Sequence, residues 1–332
     1  MYRLKSVAAI LLPLTLSVFL FFSCDNKKDK PKNNKEEFLP LPDFNADSAF
    51  LYVKSQTDFG PRVLGSQAHD NCGRWLSNKL AQFCDTVYEQ HFTTRTYDGK
   101  QWNTVNYIGS FLPANPNRIV LAAHWDSRPF ADHDPNPNNR ETPIDGANDG
   151  ASGVGVLLEI ARQLSITKSS IGIDIIFFDA EDFGPKETER IPGDWWGLGA
   201  QYWAKNHHVK DYTAKYGILL DMVGNPNPRF LQEQFSLRDA QDVVRKVWST
   251  AYSLGYGEYF QNKPGGIITD DHYYVNKYSS FKMIDIIHYD AASGTGFHSS
   301  WHTLNDNINN IDRNSLKIVG TTVLQVIKNE EE

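Results

Sequence analysis

Acidic and histidine side chains recur in this sequence where an apolar run or a glycine-rich turn ends. In "FFDAEDFG" the apolar run ends in Glu181 and Asp182. A solvated turn would explain one such pair, but acids or histidines occur at six places of this kind. The other candidates are His124 and Asp126 in "IVLAAHWD", Asp149 in "DGANDGASG", Asp221 in "ILLDMVG", Asp270, Asp271 and His272 in "IITDDHYY", and His302 in "FHSSWHTLND". Clustered carboxylates disfavour their own charge unless a cation is present. Because Asp and His ligands suit zinc, the sequence predicts a metal site with a carboxylate that moves protons.

The segments that must position these groups alternate between strand and helix patterns. Such alternation indicates an α/β fold with a largely parallel sheet, and the near-continuous apolar strands indicate that both sheet faces are covered. Ligands bind such a sheet at the carboxyl ends of its strands, so we expect the acids and histidines to converge there. Strands are predicted at 104–112, 118–126, 171–182, 216–224 and 281–290, and helices at 73–83, 150–164, 199–207, 236–255 and 314–329.

The first residues resemble a bacterial export signal. Arg3 and Lys5 precede the apolar run "VAAILLPLTLSVFLFF", which is too short for a comfortable membrane span. Ser23–Cys24 follows, as in lipoprotein signals, with an ordinary secretory cleavage as the alternative. We therefore predict a signal peptide at 1–23 with Cys24 as the first mature residue, and an exported protein that is lipid-anchored to a bacterial membrane and faces the periplasm. Residues 24–44 are predicted to be a disordered tether and residues 45–332 a single catalytic domain.

Composition excludes some classes of protein. The 332 residues are 40% hydrophobic, enough for a sizeable core. The net charge of −7, without a basic stripe after residue 35, argues against nucleic acid as a partner. Cys72 and Cys84 flank a helical pattern that would separate them by roughly 18 Å. A disulfide needs Cα atoms within about 7 Å, so we predict two buried thiols and no bridge.

The ordered motifs "HWD", "GANDGASG", "FFDAEDFG", "LLDMVG", "DDH" and "WHT" resemble the zinc-dependent aminopeptidase family, and more narrowly its glutaminyl cyclase branch. They span roughly residues 50 to 320, so chance is a poor explanation. The resemblance implies an α/β/α sandwich around a central, mostly parallel mixed sheet. It also implies two zinc ions in the aminopeptidases and one in the cyclases.

By this resemblance the single zinc would be bound by Asp149, Asp182 and His302, which leaves an open coordination position. Glu181 corresponds to the residue that acts as general acid and base. Asp221 and Asp270 correspond to two further catalytic carboxylates. One departure concerns Asp182, because the family usually has Glu at that position.

The apolar walls of the substrate pocket would be Ile268, Phe297 and Trp301, with Trp195 or Trp196 contributed by the loop after the acidic pair. Core packing is the alternative role for any single tryptophan. His124 and Asp126 remain as a possible ligand set for a second metal, so an aminopeptidase with one or two metals stays open as the alternative activity.

The resemblance implies that an N-terminal Gln of a peptide or exported protein is converted to pyroglutamate with release of ammonia. The expected partners are therefore peptide N-termini that carry Gln. Membrane contact is expected only through the N-terminal anchor, and the sequence carries no signal for an oligomeric state.

Overall fold

The computed structural model describes residues 42–186 and 188–331, so the predicted signal, Cys24 and most of the predicted tether lie outside the described residues. The main sheet has six strands, β1 (Thr86–Arg95), β2 (Gln101–Phe111), β3 (Arg118–His124), β4 (Gly172–Phe178), β5 (Gly217–Asp221) and β8 (Met283–Ile287). A separate two-stranded sheet contains β6 (Phe230–Gln232) and β7 (Phe260–Pro264). The helices are α1 (Ala46–Thr57), α2 (Gln67–Phe83), α3 (Ala151–Thr167), α4 (Leu198–Lys205), α5 (Gln234–Ser253), α6 (Asp271–Tyr278) and α7 (Arg313–Glu331).

The main sheet is mixed, in the order β1-β2-β4-β3-β5-β8. Strand β4 pairs in parallel with β3, β3 with β5, and β5 with β8, whereas the β1-β2 and β2-β4 pairs are antiparallel. The parallel strands β3, β4, β5 and β8 are buried along their whole length, as expected when helices cover both faces. This arrangement confirms the predicted α/β class with a mostly parallel central sheet.

The two layers that flank the sheet can be followed along β3. Ile119 and Leu121 pack into the larger core with residues of α1, α2, α3, α5 and α7. Val120 and Ala122 point the other way, into a core that includes residues of α4 and α6. Successive side chains of a strand face opposite sides, so one apolar run fills both layers of the α/β/α sandwich.

Some elements differ from the sequence prediction. Helices α1 and α6 and strands β1, β6 and β7 were not predicted, and α5 begins at Gln234 rather than at Ser236. Its N-cap is Glu233, whose carboxylate accepts hydrogen bonds from the backbone N–H groups of Phe235 (2.8 Å) and Ser236 (2.6 Å). Glu233 therefore caps the N-terminus of this helix with its side chain, a role that serine and aspartate usually have.

The predicted absence of a bridge is confirmed, because Cys72, in the second turn of α2, and Cys84, at its C-cap, are both free thiols. Cys72 is fully buried as predicted, whereas Cys84 is only partly buried because it lies where the helix ends. Among the described residues, none of the helices is long and apolar enough to cross a membrane.

Close packing of α3 on the sheet gives a test of this architecture. Gly153 of α3 lies so near the sheet that a Cβ atom would overlap the carbonyl oxygen of Leu220 and approach the Cβ of Ala123 to 2.9 Å. We expect Gly153→Ala to lower the free energy of unfolding by about 1–3 kcal/mol, because backbone atoms cannot move aside cheaply. Gly294→Ala is the control, since no atom lies within 4 Å of its added Cβ, and equal denaturation midpoints for both variants would contradict this packing.

Candidate active site

The acids and histidines singled out from the sequence meet at one edge of the main sheet. His124 is the last residue of β3, Asp221 is the last residue of β5, and Asp270 is the N-cap of α6. Glu181 and Asp182 follow β4 after a short turn. Because these strands run in parallel, their carboxyl ends share one edge, where an open α/β sheet binds its ligands.

Asp149, Asp182 and His302 form a group that can bind a cation. One ligand atom from each lies within 4.8 Å of the others, and all three side chains are buried. His302 Nε2 is 3.6 Å from Asp149 Oδ2 and 3.5 Å from Asp182 Oδ1. Ligand atoms around a tetrahedral zinc are about 3.3 Å apart, given bond lengths of about 2.0–2.2 Å. Asp182 Oδ2 is also buried without a hydrogen-bond partner, so the residues fit a zinc ion.

A second group shares Asp149. His124 Nε2 lies 3.1 Å from Asp149 Oδ1 and 3.3 Å from Asp221 Oδ1, and these three residues could also bind a cation. The sequence paired His124 with Asp126 for this role, but the structure places Asp221 there.

Asp126 has a different position from the one expected of a second-metal ligand. Its two carboxylate oxygens accept hydrogen bonds from the backbone N–H groups of Glu181 (3.0 Å) and Asp182 (3.1 Å). Asp126 therefore holds the backbone that carries the two acids.

Asp306, which sequence reasoning missed, supports the opposite side of the site in the same way. Its carboxylate accepts hydrogen bonds from the backbone N–H groups of Asn148 (2.7 Å) and Asp149 (3.0 Å). Burial, together with the charge of Asp149, raises the pKa of Asp306 to about 7, while the two N–H donors oppose that rise. The only sequence signal was the acid four residues after His302 in "WHTLND".

Glu181 has the electrostatic surroundings of a proton-transfer group. Burial raises its pKa well above the ordinary range of a glutamate, His124 opposes the rise, and the carboxylates of Asp270 and Asp182 add to it. Burial also raises the pKa of Asp221 to about 8. A carboxyl group with a raised pKa can both accept and return a proton near neutral pH.

Behind Asp270 lies a further set of buried polar side chains. His272 Nε2 hydrogen-bonds Glu233 Oε2 at 3.0 Å, so His272 contacts a residue that the sequence did not single out. Asp285, in the middle of the otherwise apolar strand β8, has no hydrogen-bond partner on either oxygen, and neither has Asp271. Burial raises the pKa of Asp285 well above that of an ordinary aspartate, and the charge of Asp270 adds to the rise.

The acids open into a cavity of about 480 Å³ with apolar and aromatic walls. Phe297 and Trp301 lie side by side with ring centroids 4.7 Å apart, and Trp301 stacks on His302 at 3.7 Å. The cavity is also lined by Ile268 and Trp196, as well as by Glu181, Asp221, Asp270 and the three candidate metal ligands.

Trp195 is not among the residues that line this cavity. Its indole N–H donates a hydrogen bond to the carbonyl of Pro192 within its own loop, at 2.9 Å. Of the two tryptophans predicted on this loop, the structure therefore places Trp196 at the cavity and Trp195 away from it.

The fold and this group of ligands define a class of metal-dependent enzymes whose chemistry takes place at the strand ends of an α/β sheet. The profile of peptidase family M28 matches residues 106–327, and the chain belongs to that family.

Solved structures similar to this chain include a Zn-dependent exopeptidase from Parabacteroides distasonis, which is 56% identical with a TM-score of 0.85 and covers 87% of this chain and 100% of its own. Another is a Bacteroides thetaiotaomicron glutaminyl cyclase bound to N-acetylhistamine, which is 50% identical with a TM-score of 0.84 and covers 87% of this chain and 99% of its own. The bovine glutaminyl-peptide cyclotransferase is 26% identical over 254 residues, and the match spans 67% of this chain and 66% of the bovine protein.

The charge balance of the site predicts how zinc stabilises the protein at different pH values. Burial raises the pKa of Asp182, a proposed ligand, and raises that of Asp221 to about 8, so lowering the pH protonates carboxylates that a cation requires in their ionised form. At a fixed zinc concentration of about 100 times the dissociation constant at pH 8, we expect zinc to stabilise the fold by about 2.7 kcal/mol at pH 8 and by less at pH 5.5, where its dissociation constant is larger.

The measurement is the zinc-induced change in Tm at the two pH values, with His302→Gln as the control that removes one ligand. A zinc effect at pH 5.5 equal to or larger than the effect at pH 8 would contradict the assignment.

Proposed function

We propose that the protein is a glutaminyl cyclase that uses one zinc ion to convert the N-terminal Gln of peptides and exported proteins to pyroglutamate. The observation that carries the proposal is the position of Glu181, a buried carboxyl of raised pKa beside a three-ligand metal group, in a small cavity with aromatic walls. The 50% identity to a bacterial glutaminyl cyclase over nearly the whole of that chain supports it.

Asp149, Asp182 and His302 would hold the zinc, which when bound polarises the side-chain carbonyl of the substrate Gln. Glu181 accepts a proton from the α-amine as the amine nitrogen bonds to the side-chain carbonyl carbon. It then returns the proton to the amide nitrogen, the carbon–nitrogen bond breaks, and ammonia leaves. Asp221 and Asp270 line the same cavity and would hold the α-amine and the amide through hydrogen bonds.

The cavity walls would favour closure of the pyroglutamate ring by restricting the conformation of the substrate. The reaction is intramolecular, so holding the Gln side chain folded back towards its own amine supplies much of the rate. Phe297, Trp301 and Ile268 belong to one apolar cluster that lines the cavity, and Trp196, from a different cluster, lines it too.

An aminopeptidase is the second candidate, and a specific feature favours it. The group of His124, Asp149 and Asp221 could hold a second cation beside the first, and Glu181 would then deprotonate a water molecule instead of an amine. The cyclase is preferred because the similar structures include glutaminyl cyclases that match this chain over 99% of their own length and 87% of its length.

For location, the sequence pattern of the first 24 residues supports export and a lipid anchor at Cys24. We propose that the enzyme acts on the periplasmic side of a bacterial membrane, on exported proteins whose N-terminus is Gln. Metabolic labelling with a fatty acid, compared between the wild type and Cys24→Ser, tests the anchor: loss of the label in the variant supports it, and an unlabelled wild type contradicts it.

Substitution of the proton-transfer residue tests the mechanism. We expect Glu181→Gln to lower the rate of ammonia release from a Gln-peptide by about 100- to 10,000-fold, because the amide cannot accept the amine proton. Zinc content should stay at the wild-type level, since Glu181 is not among the proposed ligands.

The same assays separate the two candidate activities. Ammonia from Gln-peptides without aniline release from Leu-anilide is the expected wild-type result. Faster turnover of Leu-anilide would exclude the cyclase, and a fully active Glu181→Gln variant would exclude the role given to Glu181.

The two tryptophan environments give a matched pair of variants. We expect Trp301→Ala to lower kcat/KM for a Gln-peptide by about tenfold or more, because the loss of only about 1.4 kcal/mol of interaction with the substrate has that effect. Trp195→Ala should stay within about twofold of wild type, because Trp195 lies away from the cavity. Equal losses in the two variants would show that the cavity walls are wrongly assigned.

A further inference from the structure

Arg128, which follows β3 in the chain, is a fully buried arginine at the edge of the proposed metal site. Its Nη1 donates to Asp182 Oδ1 at 3.1 Å, and to the carbonyls of Asp182 and Gly184 at 3.3 and 3.4 Å. Its Nε and Nη2 donate to the two oxygens of Asp132, both at 2.8 Å. One guanidinium therefore joins a proposed metal ligand to a second carboxylate.

Asp132 continues this connection to the other side of the metal group. Its Oδ1 lies 3.2 Å from His302 Nδ1. The contact lacks hydrogen-bond geometry, but the nearby carboxylate charge favours a proton on Nδ1, which leaves the lone pair of Nε2 facing Asp149 and Asp182. The contacts therefore form a continuous series, Asp182–Arg128–Asp132–His302, that connects two of the three proposed ligands.

The backbone makes such support necessary. His302 adopts a left-handed conformation with φ of 52°, which is unfavourable for a residue with a side chain. Contacts from neighbouring groups must hold it there, and the Asp132 carboxylate supplies one of them. The backbone N–H of His133 supplies another, because it donates to the carbonyl of His302 at 3.1 Å.

Aromatic rings fix the guanidinium in place. Its centre lies 4.4 Å from the ring of Phe130 and 4.9 Å from the ring of Trp196. The Trp196 ring is in turn nearly parallel to the His302 ring, at 13°. A lysine has no planar fork to make the paired bonds to Asp132 while also reaching Asp182, so the arrangement is specific to arginine.

We propose that Arg128 and Asp132 are positioning residues that fix the orientations of Asp182 and His302 and thereby set the affinity and geometry of the metal site. The inference rests on the proposed function for the identity of the metal. It also gives Asp182 a physical role that suits its length. The short carboxylate is anchored through Oδ1 by Arg128, while Oδ2 stays buried without a hydrogen-bond partner.

The test compares zinc affinity in the purified whole chain, measured by competition with a chromogenic chelator, for the wild type, Arg128→Lys and Asp132→Asn. We expect zinc to bind about 10- to 100-fold more weakly in both variants, as is typical when groups that orient metal ligands are removed. The visible absorption of the Co²⁺-substituted protein is the second readout, and both variants should show a changed intensity because the ligand geometry relaxes.

Arg118→Lys is the matched control. Arg118 is also a buried arginine, it is bonded to Asp174 through Nη1 at 2.6 Å, and it lies at the opposite end of β3 from the site. Its variant should lose stability but keep its zinc dissociation constant within about twofold of wild type. If Arg128→Lys does not fold, Asp132→Asn decides the question, because it preserves the size of the side chain.

Zinc affinity and a Co²⁺ spectrum unchanged in Arg128→Lys and Asp132→Asn would overturn the inference, even in an active cyclase. The two proposals can also fail separately. If the wild type binds zinc but forms no pyroglutamate, the proposed function is refuted. Weaker zinc binding in the two variants of that same protein would still uphold the inference.

Discussion

The concentration of carboxylates at one buried edge of the sheet is the constraint on which the rest of the structure depends. Asp149, Glu181, Asp182, Asp221 and Asp270 are all buried within one small region. Like charges in such a place repel one another and lose their hydration, so the folded state requires either protons or positive charge among them. A metal ion is the partner that removes the repulsion and also makes the cluster useful.

Two further buried carboxylates hold these acids in the same way. Each accepts hydrogen bonds from the backbone N–H groups of the two residues that it positions. Asp126 does so for Glu181 and Asp182, and Asp306 for Asn148 and Asp149. Backbone strain accompanies the arrangement, since Ala180, Met222 and His302 all adopt left-handed conformations next to or within the site. Such conformations persist only where surrounding contacts over-determine them.

Sequence patterns predicted the α/β class and the meeting of the acids, because apolar runs are visible in one dimension and the carboxyl ends of parallel strands share one edge. They could not predict which acid faces a cation and which faces a backbone N–H, so Asp221, and not Asp126, joins His124 in the second group. Arg128, Asp132, Asp306 and Asp285 were missed for a related reason. Their importance lies in contacts made across long sequence separations, and no local spacing records those contacts. The two tryptophans at 195 and 196 show the same limit, since only the loop conformation decides which ring reaches the cavity.

The central claim is that one metal ion, held by Asp149, Asp182 and His302, serves a buried proton-transfer glutamate. X-ray diffraction from crystals of the purified protein, recorded on both sides of the zinc absorption edge, tests it most directly. The account predicts a single anomalous peak among those three side chains. Two peaks of comparable height that share Asp149, with the second between His124 and Asp221, would contradict it and indicate the two-metal chemistry of an aminopeptidase.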